Sequence, residues 1–327
     1  MSVKSELFKL LHSSDGDFIS GGAIAKKLAV SRNAIWKAVE ALRLEGYNID
    51  AVTNKGYRLA DSADVLSAAG VMSHIKTVDV FTVEVRNTVT STNTVVRELA
   101  AEGAHEGYVL VAQEQTAGKG RQGRGFYSPA GHGVYFSLLL RPCLKTNEAS
   151  LITSAAAVAV ARAIEDVFGI SAGIKWVNDL FVNGKKVCGI LTEAVFDMES
   201  GLVESAVLGI GVNITKPEAG FPDDIKDVAS SLADRNAGKD SERCRLIAST
   251  LDYFWAFYQN LGAREFLQEY RSRSIILDRD IEIMSPDGIK FAKALEIDDD
   301  CGLLVQYKDG ETTTLNSGDV RIKAVKH

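Results

Sequence analysis

Apolar positions recur at helical spacing three times in the first sixty residues. Val3, Leu7, Leu10 and Leu11 form one face, Ile24 and Leu28 a second, and Ile35, Val39 and Leu42 a third, at i, i+4 and i+7. Ser20 and Ser31 stand where N-caps belong, and Gly46 where a helix ends. Asp15-Gly16-Asp17 and Ala29-Val30 supply the turns between them. The period then changes: Tyr47 to Val52 and Gly56-Tyr57-Arg58-Leu59 read as two strands about an Asn54-Lys55 turn. Three short helices followed by a two-stranded wing make a winged helix-turn-helix, expected over residues 1–62.

Val65, Leu66, Ala69, Val71 and Met72 predict a short connecting helix within a joint at 63–79. That joint has no Pro/Gly/Ser-rich tether, so the head is expected to be docked. Strands and helices then alternate over 80–272. Strands are predicted at Val78 to Val85, Tyr108 to Gln113, Val134 to Leu140, from Ile174 into a polar turn, Lys186 to Glu193, and Leu208 to Ile214. Helices are predicted from Ser91-Thr92-Asn93, with Ser91 or Thr92 as N-cap, and from Ile152 to Phe168. Asn183-Gly184 is a hairpin turn. Gly209 and Gly211 interrupt a strand, as glycines do where a ligand or a neighbouring backbone comes close. In 273–327, strands at Ile281 to Ile283, Lys290 to Leu295, Gly302 to Tyr307 and Glu311 to Leu315 are separated by Pro286-Asp287-Gly288 and Lys308-Asp309-Gly310 turns, a small β-barrel pattern. The fold class is α+β and multidomain, with a mixed α/β centre.

Composition narrows the class. A content of 46% hydrophobic and 24% charged residues is that of a soluble globular chain. No apolar run reaches the ~18 residues needed to span a bilayer. Glu6, Lys9 and His12 break any signal-peptide pattern, so a cytoplasmic location without membrane contact is expected. The four cysteines form no CxxC pair and the histidines are scattered, so no protein metal site is predicted. Charge is uneven. Residues 1–60 carry nine Lys+Arg against six Asp+Glu inside a chain of net charge −6, which marks the head as the part that meets a polyanion. On its third helix Ser31, Arg32, Asn33, Trp36 and Lys37 form the candidate DNA face, with Lys55 and Arg58 on the wing.

The densest candidate chemistry lies at 118–128, Gly-Lys-Gly-Arg-Gln-Gly-Arg-Gly-Phe-Tyr-Ser. Glycines admit close backbone approach, and Lys119, Arg121 and Arg124 suit phosphate oxygens. Phe126 and Tyr127 can stack on a base or close over it. The pattern predicts a flexible loop that folds over a phosphorylated ligand.

This loop takes its place in a longer series. Ser91-Thr92-Asn93, the loop, Lys175-Trp176-x-Asn178-Asp179, Lys186-x-x-Gly189-Ile190-Leu191 and Gly209-x-Gly211-x-Asn213 occur in the order seen in biotin protein ligases. With the winged head, the whole chain resembles the bifunctional class of that family, biotin–[acetyl-CoA-carboxylase] ligase and biotin operon repressor. The resemblance implies an SH3-like C-terminal barrel and two half-reactions. Biotin and ATP with Mg²⁺ give biotinyl-5′-AMP, and a lysine of the biotin carboxyl carrier protein then takes the biotin. It implies catalytic roles for Lys186, Arg121 and Asp179. Biotin contacts fall to Ser91, Thr92, Asn93, Gln115, Gly118, Lys119, Gly120, Arg121 and Lys186. ATP or adenylate contacts fall to Lys119, Arg121, Arg124, Phe126, Lys175, Asn178 and Asn213. It also implies an adenylate-promoted homodimer that binds operator DNA.

Two departures from the family pattern involve three positions. Lys119 and Gln122 replace arginines of the loop, and Val177 stands where proline is frequent. Both bear on ligand affinity, because lysine lacks the bidentate fork of arginine. The residues alone leave a lipoate–protein ligase-like enzyme and a non-enzymatic, ligand-sensing repressor open as alternatives.

Overall fold

The helical faces of the head converge. In the computed structural model, which describes residues 2–14, 16–60, 65–77, 79–145, 148–197, 199, 201–233, 241–285 and 288–322, helices α1 (Val3–His12), α2 (Gly21–Lys27) and α3 (Arg32–Leu44) pack together. Leu7, Leu11, Ile24, Ile35, Val39 and Leu42 form their common core. The Ser20 and Ser31 hydroxyls each accept the backbone N–H three residues on, at 3.1 Å. Strands β1 (Ile49–Val52) and β2 (Gly56–Leu59) pair antiparallel as the wing. Asp15, residues 61–64 at the boundary of head and joint, Val78, and Pro286-Asp287 of one expected turn lie outside the described residues.

Helix α4 (Ala68–His74) joins head to body by serving both. Ala69 belongs to the core of the head, while Leu66, Val71 and Ile75 belong to the central core. Tyr47 Oη of the head lies 2.7 Å from Ser67 Oγ.

The centre is a seven-stranded sheet of order β3-β4-β5-β9-β8-β7-β6. Its strands are β3 (Thr82–Val89), β4 (Tyr108–Gln115), β5 (Gly133–Leu140), β6 (Gly173–Lys175), β7 (Asp179–Val182), β8 (Lys185–Phe196) and β9 (Val203–Asn213). Only the β3–β4 pair is parallel, bridged by α5 (Thr92–Ala101); the other pairs are antiparallel. The strand expected at Val78 to Val85 is shifted toward the C-terminus. Parallel pairing from Thr82 opposite Tyr108 to Val89 opposite Gln115 carries it to the foot of α5. Side chains alternate between two faces, as the two-residue strand period requires. Val109, Val111, Phe136 and Leu138 face a large core with α6 (Ala149–Phe168) and α7 (Glu242–Tyr258). Leu110, Leu139 and Val207 face Val96 of α5.

The C-terminal part follows α8 (Leu267–Ser272) and is one antiparallel sheet of order β13-β12-β11-β10-β14. Its strands are β10 (Asp280–Ser285), β11 (Gly288–Ile297), β12 (Leu303–Tyr307), β13 (Thr312–Leu315) and β14 (Asp319–Ile322). Four of these strands are expected from the sequence; β14 is not. No helix among the described residues is long and apolar enough to cross a membrane.

Candidate active site

Sheet register assembles the site on the α5 face. Tyr135 of β5, Gly211 of β9, Gly189 of β8 and Asp179 of β7 are successive cross-strand partners. Two adjacent glycines in that row leave the sheet bare, and the Phe126 ring lies on the gap. A Cβ at Gly211 would sit 2.4 Å from Phe126 Cε1, and one at Gly189 would sit 3.1 Å from Cε2. The neighbouring row is Ser137, Gly209 and Leu191. There the Asn93 amide fills the space, and a Cβ at Gly209 would meet its Oδ1 at 2.0 Å. Both strand glycines therefore admit a side chain of the protein itself, where the sequence pointed to a ligand or a backbone.

A cavity of about 970 Å³ lies over these rows. Lys186 enters it from the start of β8 after the Asn183-Gly184 turn, both of whose residues have positive φ. Its Nζ is 2.7 Å from Asp179 Oδ1, and its stem passes above Gly189. The Lys186 backbone is clamped: its N–H donates to Val228 O at 2.8 Å, and its carbonyl accepts from Ser230 N–H at 2.8 Å. Arg121 Nη1 donates to Asn178 Oδ1 at 3.2 Å, and Asn178 Nδ2 donates to Ile190 O at 2.8 Å. Lys175 is mostly buried, and burial holds its ammonium below the usual lysine range against the opposing pull of Asp179 and Asp319. Trp176 is core, its indole N–H donating to Cys301 O at 2.8 Å.

The glycine/cation loop is folded back on itself. Gly120 N–H donates to Arg124 O at 2.7 Å, Phe126 N–H to Gly118 O at 2.9 Å, and Gln115 N–H to Ser128 O at 3.1 Å. Arg121–Gly123 makes one 3-10 turn at the tip, with Gln122 and Gly123 at positive φ. Lys119, Gly120, Arg121, Arg124 and Phe126 reach the cavity wall. Gly118 faces the loop instead, since a Cβ there would meet Phe126 O at 2.3 Å.

Ser91 occupies the N-cap position of α5, but its hydroxyl makes no capping bond. Gln115 supplies the cap across the sheet: its Oε1 accepts Thr92 N–H at 2.8 Å. Asn213, expected at the nucleotide, donates its Nδ2 to Ser230 O at 3.0 Å and so holds the segment that clamps Lys186.

Sequence reasoning misses three contributors. The segment Phe221 to Ala229 lines the cavity but carries no motif. Asp319 and Arg321 reach the same wall from β14. On the head, Ser31, Arg32, Asn33, Trp36, Lys37 and Lys55 are exposed together. Arg58 is engaged: its Nε is 2.8 Å from Asp50 Oδ2, and its guanidinium lies 4.7 Å from the Phe18 ring centroid. Asp50 pairs with Arg58 across the wing ladder, so it competes with any phosphate for that cation.

Comparison with known proteins agrees with this geometry. Residues 85–213 match the biotin/lipoate A/B protein ligase family, 4–58 a helix-turn-helix domain, and 276–322 the biotin protein ligase C-terminal domain. The chain belongs to the biotin protein ligase family, in its bifunctional ligase/repressor branch. It is 37% identical over 314 residues to the bifunctional ligase/repressor BirA of Bacillus subtilis, covering 94% of this chain and 95% of that one. It is 26% identical to the Escherichia coli protein of the same name, over 99% of this chain and 98% of the other. A solved biotin protein ligase from Aquifex aeolicus, in complex with biotin and ATP, superposes with a TM-score of 0.59 at 26% identity, covering 74% of this chain and 99% of that one.

Proposed function

We propose that this chain is an ATP-dependent biotin–protein ligase whose head represses transcription of biotin-biosynthesis genes. The observation that carries the reading is the meeting of Lys186, Asp179, Arg121, Asn178 and Lys175 around one cavity floored by the Gly189–Gly211 row. We assign residues 1–62 to DNA recognition, 63–79 to the joint, 80–272 to catalysis and 273–327 to the small β-domain.

Ser91, Thr92, Asn93 and Gln115 hold the biotin end, and Lys119, Gly120, Arg121, Arg124, Phe126, Lys175 and Asn178 the nucleotide end. A biotin carboxylate oxygen attacks the α-phosphorus of ATP and pyrophosphate leaves. Lys186 neutralises the carboxylate and then the bridging oxygen, while Arg121 and Lys175 meet phosphate charge that grows in the transition state. The carrier-domain lysine amine then attacks the acyl carbon and AMP leaves, with Asp179 placed to orient that amine or take its proton. Mg²⁺ would enter with the triphosphate, whose oxygens supply most of its ligands. Outermost in the sheet, β3 offers a backbone edge on which a second, adenylate-bound copy can add.

The test is acyl-adenylate formation from ATP, Mg²⁺ and biotin, with lipoate as control, read by mass spectrometry. Biotinyl-AMP that falls about a hundred-fold or more in Lys186→Ala supports the reading. An adenylate with lipoate alone moves the chain to the sister activity. None with either leaves a ligand-gated DNA-binding protein.

A further inference from the structure

Cations outnumber anions on the cavity wall, and most of them are already partnered. Lys186 pairs with Asp179 at 2.7 Å, and Arg121 donates to Asn178 at 3.2 Å. Arg124 and Lys175 share Asp319, at 2.7 and 3.8 Å. Lys119 and Arg321 also line the cavity, and among the described residues no ion pair or side-chain hydrogen bond engages either one. Lys119 belongs to the glycine/cation loop, whereas Arg321 comes from the C-terminal sheet.

Strand period aims Arg321. Val320 is opposite Ile283 in the β10–β14 ladder, and both are buried in the small domain. Asp319 and Arg321 therefore emerge together on the other face, one two-residue period apart, about 7 Å along the strand. Glu282 stands opposite Arg321 in the ladder, yet the two form no ion pair, and of the two only Arg321 reaches the cavity. Arg321 is exposed, and it lies within electrostatic reach of Lys175: burial, helped by the charges of Lys186 and Arg321, holds that ammonium below the usual lysine range. A cation at this place has work to do. In adenylation a carboxylate oxygen bonds to the α-phosphorus, the bond from that phosphorus to the oxygen bridging to the β-phosphorus breaks, and its electron pair leaves with pyrophosphate. Lys186 serves the carboxylate, and Arg121 and Lys175 the α-phosphate, so the departing oxygens need a cation of their own. The guanidinium fork of an arginine suits two phosphate oxygens at once.

We propose that Arg321 binds the β- and γ-phosphates of ATP and stabilises them as they depart as pyrophosphate. The proposal rests on the ligase reading, since it takes the Lys175 end of the cavity as the nucleotide end. Through Arg321 the small β-domain then acts in the first half-reaction only. Transfer of biotin from the adenylate to a lysine amine releases AMP and involves no pyrophosphate.

The experiment follows the two half-reactions separately in the full-length protein. Biotin-dependent ATP–pyrophosphate exchange gives KM for pyrophosphate and for ATP, and transfer from chemically prepared biotinyl-5′-AMP to the carrier domain gives the second step. Arg321→Ala is expected to raise both KM values about ten-fold, the low end for a hydrogen bond to a charged group, with transfer and biotin KM within about two-fold of wild type. Arg321→Glu, which reverses the charge, is expected to exceed Arg321→Ala. Lys290→Ala, which removes an exposed cation of the same sheet outside the cavity, is expected to leave pyrophosphate KM unchanged. Pyrophosphate KM unchanged in Arg321→Ala, or raised equally by Lys290→Ala, overturns the proposal and leaves the ligase reading intact. Slower transfer from biotinyl-5′-AMP with unaltered exchange also overturns it, and assigns Arg321 to the carrier domain instead. Wild-type protein that neither exchanges pyrophosphate nor forms biotinyl-5′-AMP overturns both readings.

Discussion

Asp319, on the last strand of the C-terminal sheet, places Oδ2 2.7 Å from Arg124 Nη2 of the glycine/cation loop. Its other oxygen is 3.8 Å from Lys175 Nζ. One carboxylate from the small β-domain thus touches two cations assigned to the nucleotide. Lysine is charged below its pKa, so a depressed value makes Lys175 lose charge earlier as pH rises. Asp319→Asn removes one of the two carboxylates that oppose the depression. The alkaline limb of kcat/KM for ATP is expected below the ordinary lysine range in wild type, and lower still in Asp319→Asn. At neutral pH the variant should raise ATP KM about five-fold, the scale of a partly exposed ion pair. Superimposable pH profiles would count against this role.

The glycine row is sensitive to a single methyl group, and unequally so. Gly211→Ala puts a Cβ 2.4 Å from the Phe126 ring, whereas Gly189→Ala meets the ring at 3.1 Å and the mobile end of Lys186 at 3.2 Å. Gly211→Ala is therefore expected to displace Phe126, at about 1–3 kcal/mol of local overpacking, and to speed amide exchange across 118–128. Adenylate formation should fall about ten-fold in Gly211→Ala and less in Gly189→Ala. Hydrogen exchange by mass spectrometry and the exchange assay check both. Equal effects of the two substitutions would contradict the placement of the ring.

On the head, Lys37 and Trp36 stand free on the exposed face of α3, with Trp36 53% exposed. Lys37→Ala is expected to weaken operator binding uniformly across sequences and to lower the salt slope by about one. Trp36→Ala should weaken binding without changing that slope. Neither should alter adenylate formation. Fluorescence anisotropy over a salt series separates the two effects.

His74 sits at the seam between head and body. Its ring is edge-on to His12 at 5.4 Å, and burial, with His12 and Arg245 nearby, pulls its pKa down to about 4. The unfolded chain then binds the proton more tightly than the folded one, so stability present above the ordinary histidine value erodes as pH falls toward about 4. His74→Gln is expected to flatten that loss. Urea midpoints across the acidic range test it; parallel pH dependence in the two proteins would rule His74 out as a cause.

The head, the helical and strand periods and the order of motifs were legible because each is a local property of consecutive residues. The region between Ile214 and Ile281 was not assigned, although Leu246, Ile247, Thr250, Leu251 and Phe254 have the spacing of the helix they form. Asp319 was out of reach for another reason. Its meaning comes from β14 lying beside β10, which brings a residue nearly two hundred positions away to Arg124. Asn213 shows the same limit from the other side: the motif found the residue, but only the fold shows that its amide is spent on Ser230.

Helix α4 gives the chain a poor seam for cutting. A head excised after residue 60 would leave behind Ala69, which helps to close its core, and Ser67, which meets the Tyr47 hydroxyl. A body begun after α4 would lose Leu66 and Val71 and open its own interior. Transplanting this head onto another enzyme, or another head onto this body, requires carrying α4 and re-cutting its opposite face to suit the new host. The DNA reader and the catalyst are thus a matched pair in engineering terms, exchangeable only together with the hinge pin they share.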